Sequence, residues 1–272
     1  MQRDPFHIRS HVADFDVIVD EILRRSAAAR RALPMAADLA YGTGPAETVD
    51  LFFPPGPRHS LPVHLFIHGG YWRMFSKRDY AMMAESITTA GAIAVILDYD
   101  LMPGARLATL VDQTRRAAGW IGSHVAEFGG DPERLSVSGH SAGAHLATFL
   151  LHAGRERPAI REALLLGGLY DLKPLQHSFL QEEIGLTDEE VARFTPLTQD
   201  HDPACRANIL VGGEETAPFH DQASRFADHL RSQGLSVQAL AVEGENHMSS
   251  VLNLGIPGNA LSQALQTMIA RT

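Results

Sequence analysis

Residues 134–151 read RLSVSGHSAGAHLATFLL, and this stretch decides the fold. Its first five residues alternate apolar and small side chains, a pattern typical of a short buried strand. Its last eight residues carry apolar side chains at helical spacing. Between them lies the motif GHSAG, residues 139–143. The stretch therefore predicts a strand, a tight turn and a helix, with Ser141 in the turn.

A serine in this local context is typical of a nucleophile elbow, the G-x-S-x-G turn of hydrolytic enzymes. The two glycines, Gly139 and Gly143, are expected because the turn brings backbone segments so close that a Cβ would clash. Ser141 would then project its hydroxyl from the end of a sheet, at the positive end of the following helix. We therefore take Ser141 as the candidate nucleophile.

The rest of the chain alternates short apolar strands with helical stretches, which predicts a mostly parallel sheet covered on both faces. We interpret residues 1–272 as one domain of α/β class. Residues 1–45 form an N-terminal helical segment in this interpretation, with helical periodicity from about 7 to 33, and residues 168–203 form an insertion that resembles a cap. The predicted strands are 47–53, 63–68, 93–98, 135–138, 163–167, 208–212 and 237–242; the predicted helices lie near 79–90, 107–128, 142–153, 218–233 and 257–270, and a short acidic helix is expected around 187–193.

Composition narrows the classes of partner. A formal net charge of −9 argues against nucleic acid or an anionic membrane surface as the main partner. The lone cysteine, Cys205, rules out an internal disulfide and suits a reducing compartment. The N-terminus lacks the layout of a signal peptide, and apolar runs are too short to span a bilayer. We expect a cytoplasmic protein with a small-molecule substrate; a homodimer stays open.

A serine hydroxyl needs a base to activate it, and the base needs an acid to orient it. In proteins with a nucleophile elbow the order along the chain is serine, acid, histidine. His247 follows the last predicted strand, in a loop just before a helical tail, which is the position expected of the base. The other histidines downstream of the elbow helix are His177, His201, His220 and His229.

The acid is expected after the preceding strand, where Gly212 is followed by Gly213-Glu214-Glu215. An acid three residues after such a glycine is Glu215, and glutamate can fill the role with a slightly longer reach than aspartate. Glu214 and Asp221 remain alternatives. Both glutamates could also be surface carboxylates at a helix N-terminus, where the helix dipole favours them.

An oxyanion hole requires backbone N–H groups that point at the developing negative charge. One is expected from Ala142, the residue after the nucleophile. Others are expected from the loop His68-Gly69-Gly70-Tyr71-Trp72, which follows a predicted strand upstream of the elbow. We predict the N–H groups of Gly70 and Tyr71 as donors, with Gly69 close behind, and a structural role for His68.

With these pieces in order, the chain resembles the α/β-hydrolase superfamily from about residue 45 to the end, and more narrowly the kynurenine formamidase branch, close to the hormone-sensitive-lipase-type esterases. The resemblance is carried by HGGYW at 68–72, GHSAGAHLA at 139–147, the segment 168–175, and Phe219, His220 and Gln222. It implies the α/β-hydrolase fold. The family's aspartate at the acid position is Glu215 here.

The resemblance implies a serine hydrolase that cleaves small carboxylic esters or aryl formamides through an acyl-enzyme, with no cofactor and no metal. The sequence leaves two roles open for Trp72, an aromatic wall for the substrate or core packing. Arg73 is either a partner for a substrate carboxylate or a solvated charge. The alternative from another class is a non-catalytic small-molecule binding protein of the same fold.

Overall fold

A computed structural model of the protein describes residues 3–152 and 160–272. Within them the chain forms one eight-stranded sheet with the strand order β1-β2-β4-β3-β5-β6-β7-β8. The strands from β3 to β8 run parallel, whereas β2 is antiparallel to both β1 and β4. The strands are β1 Met35–Ala40, β2 Thr48–Phe52, β3 Leu61–Ile67, β4 Ile93–Leu97, β5 Gly130–His140, β6 Ile160–Leu166, β7 Arg206–Gly212 and β8 Ser236–Val242.

The centre of the sheet is buried on both faces because its strands are almost continuously apolar. All five residues of β4 are buried, and so are the last five of β3. The two strands pair in parallel register from Val63 opposite Ile93 to Ile67 opposite Leu97. Parallel strands all end at the same edge of the sheet, so the loops that follow β3, β5, β6 and β7 converge there.

Helices cover both faces of this sheet in two groups. Helices α1, α2, α8 and α9 pack against one another, and α3, α4 and α7 pack near β5 to β8. Among the described residues no helix combines the length and the apolar character that crossing a membrane would require. The helices are α1 Phe15–Ala32, α2 Met83–Thr89, α3 Leu107–His124, α4 Ala142–Thr148, α5 Leu180–Ile184, α6 Asp188–Phe194, α7 Ala217–Ser232, α8 His247–Gly255 and α9 Ala260–Ile269.

The predicted strands and helices are present, with bounds shifted by a few residues, but the N-terminal segment differs from the prediction. Residues 8–10 form a 3-10 turn, and the helix begins only at Phe15. Strand β1 lies inside the segment predicted to be helical. It was not predicted because its sequence, MAADLA, lacks the β-branched residues that signal a strand. The end of the predicted helix 142–153 lies outside the described residues.

Helix α8 was also not predicted. The structure places His247 on the first turn of this helix rather than in a loop. Asn246 caps the helix, because its side chain accepts hydrogen bonds from the N–H groups of Met248 and Ser249, each at 2.9 Å. The cap fixes the backbone direction at His247, which a loop would not do.

The insertion at 168–203 contains the short helices α5 and α6, and α6 covers the predicted acidic helix. A capping box between Thr187 and Glu190 starts α6. The guanidinium of Arg106, at the start of α3, pairs with Glu190 and donates to the carbonyl oxygens of Ile184 and Gly185. These bonds attach the insertion to the body of the domain.

Candidate active site

Ser141 lies in the strained turn that the sequence predicts. Its φ and ψ are +54° and −118°, a conformation that non-glycine residues rarely adopt. The conformation is held because the Ser141 N–H donates to the carbonyl of Leu166 at 2.8 Å and its own carbonyl accepts from the N–H of His145 at 3.1 Å. The side chain is therefore fixed at the carboxyl end of β5.

The two motif glycines are required by contacts across this turn. A Cβ on Gly139 would lie 2.3 Å from the carbonyl oxygen of Gly143, and a Cβ on Gly143 would lie 2.1 Å from the carbonyl oxygen of Ile67. Both distances are far below van der Waals contact, and both involve backbone atoms that cannot move aside. The elbow thus packs directly on the end of β3.

Glu215 and His247 are joined by a short hydrogen bond. Oε2 of Glu215 lies 2.6 Å from Nδ1 of His247, and Oε1 accepts from the backbone N–H of Gly212 at 2.9 Å. The Glu215 side chain is fully buried, and that of His247 is 4% exposed. A buried carboxylate with both oxygens bonded holds the imidazole with Nδ1 as the donor, so Nε2 is left free to accept a proton.

The other two candidate acids do not contact His247. Glu214 is exposed to solvent, and Asp221 pairs with Arg225 at 3.4 Å on the surface of α7. Of the three carboxylates, the one that contacts His247 is therefore Glu215, which the sequence favours over the two alternatives.

Two of the other downstream histidines bond elsewhere. The ring of His229 bonds to the carbonyl of Gln199 at 2.9 Å, and the ring of His201 bonds to the Gln233 side chain at 3.1 Å. Burial lowers the pKa of His201 to about 4, which keeps its ring neutral.

Residues around the acid and base hold them in position. The ring of Phe219 packs on that of His247, with centroids 4.8 Å apart. The side-chain oxygen of Gln222 accepts from the N–H groups of Tyr170 and Asp171, which fixes the loop after β6. Phe219 and Gln222 belong to the stretch that carried the resemblance at sequence level.

A small cavity of about 20 Å³ joins the candidate nucleophile and base. Its remaining walls come from the HGGYW loop at 68–72, which we call the oxyanion loop, from the turn after it and from the N-terminal segment. The lining residues are Ile8, Phe15, Gly70, Tyr71, Met74, Phe75, Tyr80, His140, Ser141, His247 and Met248.

The HGGYW loop turns sharply beside Ser141. Gly70, Tyr71 and Trp72 have φ values of +109°, +53° and +59°, and the N–H groups of the next two residues both bond to the carbonyl of Gly70. A Cβ on Gly69 would lie 3.2 Å from the Cβ of Ser141, so this loop packs tightly on the elbow.

The predicted oxyanion donors lie next to the nucleophile. Among the hydrogen bonds between described residues, none uses the N–H of Gly70 or Tyr71. Ala142 is the first residue of α4, so its N–H has no partner within the helix. The positions agree with the prediction, and the role of these groups in stabilising an oxyanion stays a prediction.

The structure does not bring Trp72 to the cavity, which corrects the proposed substrate wall. The side chain is fully buried, and its indole N–H donates to Nδ1 of His145 at 3.2 Å. Burial lowers the pKa of His145 to about 4, so its ring stays neutral and can accept this bond. Trp72 is a core residue beneath the loop, the second of the two roles that the sequence left open.

Arg73 is also not free for a substrate carboxylate. Its guanidinium pairs with Glu183 of α5 at 2.9 Å, with both side chains about one third exposed. The pair links the oxyanion loop to the insertion. Tyr71 does line the cavity with its ring, but its hydroxyl bonds to the N-terminal segment.

His68 has the structural role that the sequence predicts. Its ring is fully buried, stacks on Tyr99 with centroids 4.3 Å apart, and bonds through Nδ1 to the carbonyl of Gly69 at 2.8 Å. These contacts hold the start of the oxyanion loop in place.

Sequence reasoning missed several residues that line the cavity, among them His140, Ile8 and Phe15. His140 bonds through Nε2 to the carbonyl of His247 at 2.9 Å, and burial holds its pKa well below the usual value. Its neutral ring therefore positions the base from the opposite side to Glu215. His140 lies within the GHSAG motif and could have been considered; no local pattern marks Ile8 or Phe15.

Comparisons with known proteins agree with this architecture. The sequence profile of a family described by the α/β-hydrolase fold matches residues 64–250. The kynurenine formamidase of Danio rerio is 28% identical over 253 residues, covering 90% of this chain and 85% of its own. A hyperthermophilic esterase from Pyrobaculum calidifontis superimposes with a TM-score of 0.79 at 18% identity, covering 94% and 92% of the two chains. A bacterial esterase of the hormone-sensitive lipase family gives 0.73 at 19% identity, covering 96% and 98%.

The chain therefore belongs to the α/β-hydrolase fold family, since the profile spans more than half of it. Within that family it resembles the kynurenine formamidases and the hormone-sensitive-lipase-type esterases, as the motifs predict. It is a hydrolase, and the non-catalytic binding protein is not favoured.

Proposed function

We propose that this protein cleaves small carboxylic esters or N-formyl aryl amines through an acyl-enzyme formed on Ser141. The single observation that carries the proposal is the buried 2.6 Å hydrogen bond between Glu215 and His247, beside a strained serine in the same cavity. The burial of the Glu215 carboxylate and the backbone strain at Ser141 both cost free energy in the folded protein. Both are what a nucleophile, base and acid acting together require.

In this mechanism His247 takes the proton of the Ser141 hydroxyl through Nε2 as the oxygen attacks the acyl carbon. The carboxylate of Glu215 stabilises the imidazolium that forms. The N–H groups of Gly70, Tyr71 and Ala142 stabilise the tetrahedral oxyanion. The imidazolium then protonates the leaving alcohol or amine, which departs and leaves the acyl group on Ser141.

The second half of the reaction uses the same groups in reverse. His247 removes a proton from a water molecule, whose oxygen attacks the acyl carbon, and the Ser141 oxygen leaves with the proton returned by the imidazole. The products are a carboxylic acid or formic acid and the regenerated serine. This chain's residues supply every proton transfer that the cycle needs.

The substrate class rests on the relatives and on the cavity. The relative from Danio rerio is named a kynurenine formamidase, and the structural neighbours are named esterases. The walls of the cavity are mostly apolar, and the nearby cation Arg73 is already paired with Glu183. We therefore expect an uncharged acyl group at the reacting centre.

A hydrolysis panel tests the proposal. It compares p-nitrophenyl acetate with N-formylkynurenine, each with the wild-type protein and with Ser141→Ala. We expect turnover of at least one of the two, reduced by several orders of magnitude in the alanine variant. Retention of more than about a tenth of the rate by folded Ser141→Ala would exclude this mechanism.

The remaining expectations from the sequence are proposals of the same kind. We propose that residues 1–272 form one α/β-hydrolase domain and that the protein works in the cytoplasm without a nucleic-acid partner.

A further inference from the structure

The N-terminal segment Asp4–Ile8, which we call the strap, lies beside the site, and its first two residues are bonded to two parts of the domain. The Thr216 hydroxyl, at the start of α7, donates to the carbonyl of Pro5 at 2.8 Å. A carboxylate oxygen of Asp4 accepts from the backbone N–H of Phe179 in the insertion. The strap is thus held by two separate parts of the domain.

The rest of the strap, from Phe6 to Ile8, is held by one hydroxyl group. Tyr71 donates to the carbonyl of Phe6 at 2.8 Å and accepts from the N–H of Ile8 at 3.0 Å. A phenol has one proton to donate, so its donor and one acceptor position both serve the strap. Tyr71 is also the residue whose N–H faces the proposed oxyanion, and its φ of +53° is sparsely populated for a non-glycine residue.

The strap and the helix after it form one wall of the cavity. Ile8 and Phe15 line the cavity together with Ser141 and His247, and the guanidinium of Arg9 lies over the Phe15 ring, 4.7 Å from its centroid. Phe6 is buried and packs on Phe219, with ring centroids 5.9 Å apart. The contact between Phe6 and Phe219 therefore holds the strap against the domain next to the cavity.

The space that remains is very small. The cavity beside Ser141 has a volume of about 20 Å³ and is partly open to solvent, so little enclosed space lies next to the serine. Once a carbonyl carbon is bonded to Ser141, the space beside it holds a hydrogen atom or a methyl group. A propyl chain that stays within this cavity would contact Ile8 or Phe15.

We propose that the strap, latched by the Tyr71 hydroxyl, restricts the acyl group of the substrate to formyl or acetyl. Ile8 and Phe15 determine this specificity as the wall of the acyl site, and the Tyr71 side chain acts as a positioning group that holds the wall closed. The inference rests on the proposed function, because it assigns the cavity to the acyl group of the Ser141 adduct.

The test measures kcat/KM for p-nitrophenyl acetate, butyrate and hexanoate, which share one leaving group. For the wild type we expect kcat/KM to fall at least about tenfold from acetate to butyrate and further for hexanoate. Phe15→Ala opens the wall, and Tyr71→Phe removes the latch without changing its size. Both should raise the butyrate-to-acetate ratio about tenfold or more. The matched control is Val17→Ala, on the same helix and 70% exposed, which should leave the ratio unchanged.

The ratio separates a role in specificity from a merely structural one. A structural defect lowers the rates for both esters together and leaves their ratio alone. The inference would be overturned if the wild-type protein cleaved the butyrate ester as fast as the acetate ester. It would also be overturned if the butyrate-to-acetate ratio of kcat/KM were the same as in the wild type in both Phe15→Ala and Tyr71→Phe. If Phe15→Ala does not fold, Tyr71→Phe decides the question. Failure of the proposed function looks different: the wild-type protein cleaves neither p-nitrophenyl acetate nor N-formylkynurenine.

Discussion

Replacing Glu215 by glutamine keeps the size of the side chain and removes its charge. In the native protein one carboxylate oxygen accepts from the Gly212 N–H and the other from Nδ1 of His247. Glutamine has one oxygen and one NH2 group, so one of these two donors must face another donor. Neither orientation reproduces the native bonding.

Both orientations of the amide impair the base. If the NH2 faces Nδ1, the imidazole must carry its proton on Nε2 and cannot accept the proton of Ser141. If the oxygen faces Nδ1, the buried NH2 opposes the Gly212 N–H, at a cost of about 1–3 kcal/mol. In either case no negative charge stabilises the imidazolium. We expect kcat/KM to fall about 10²–10⁴-fold, which corresponds to about 3–5 kcal/mol of transition-state stabilisation.

The assay is hydrolysis of p-nitrophenyl acetate by the wild type, Glu215→Gln and Glu214→Gln, with circular dichroism to confirm folding. Glu214→Gln is the matched control, because it removes the same charge one residue away at an exposed position. It should stay within about twofold of the wild-type rate, since exposed charges contribute little. A folded Glu215→Gln variant that keeps more than about a tenth of the activity, or an equal loss in both variants, would refute the reasoning.

Three further predictions concern the framework of the site. Gly143→Ala would place a Cβ 2.1 Å from the carbonyl oxygen of Ile67, so we expect loss of activity and a clear drop in thermal stability; a variant with native stability and rate would contradict the proposed fit. Trp72→Phe leaves Nδ1 of His145 buried without its donor, and urea unfolding should report a loss of about 1–3 kcal/mol in the free energy of unfolding, whereas no loss would count against the buried bond. Burial lowers the pKa of His64 to about 3 and that of His145 to about 4, from 6.5 in the unfolded chain. Below pH 6.5 the unfolded state therefore binds more protons than the folded state. The free energy of unfolding is highest above that pH and decreases as the pH falls. Between pH 8 and pH 5 each of these two histidines should lower the free energy of unfolding by about 2 kcal/mol, measurable by urea unfolding. A His64→Gln variant whose stability depends on pH as in the wild type would exclude the contribution of His64.

The elbow and the order of the candidate triad could be predicted because their signals are local. The strand, the turn and the helix around Ser141 occupy 18 consecutive residues, and each shows its own periodicity. Glu215 and His247 could be placed because each follows a recognisable strand, and parallel strands end at the same edge of the sheet. Glu215 was predicted ahead of Glu214 because it lies three residues after Gly212, and the structure adds the contact between its carboxylate and His247.

The position of the strap and the burial of Trp72 could not be predicted because they depend on contacts between distant parts of the chain. Ile8 reaches the cavity through a bond to Tyr71, 63 residues later. An aromatic side chain beside the catalytic loop fits a pocket wall and a core position equally well, and only the location of His145 decides between them. Helix α8 is a different case: Asn246, with Ser249 three residues later, is a capping signal that the sequence did contain.

The central claim is that Ser141 is an activated nucleophile, and covalent labelling tests it most directly. A fluorophosphonate probe is incubated with the wild-type protein and with Ser141→Ala, and the adduct is measured by intact mass and located by peptide mapping. We expect one adduct per wild-type chain, on Ser141, and none in the alanine variant. A folded, hydrolytically active wild-type protein that takes no label, or takes it on another residue, would contradict the account.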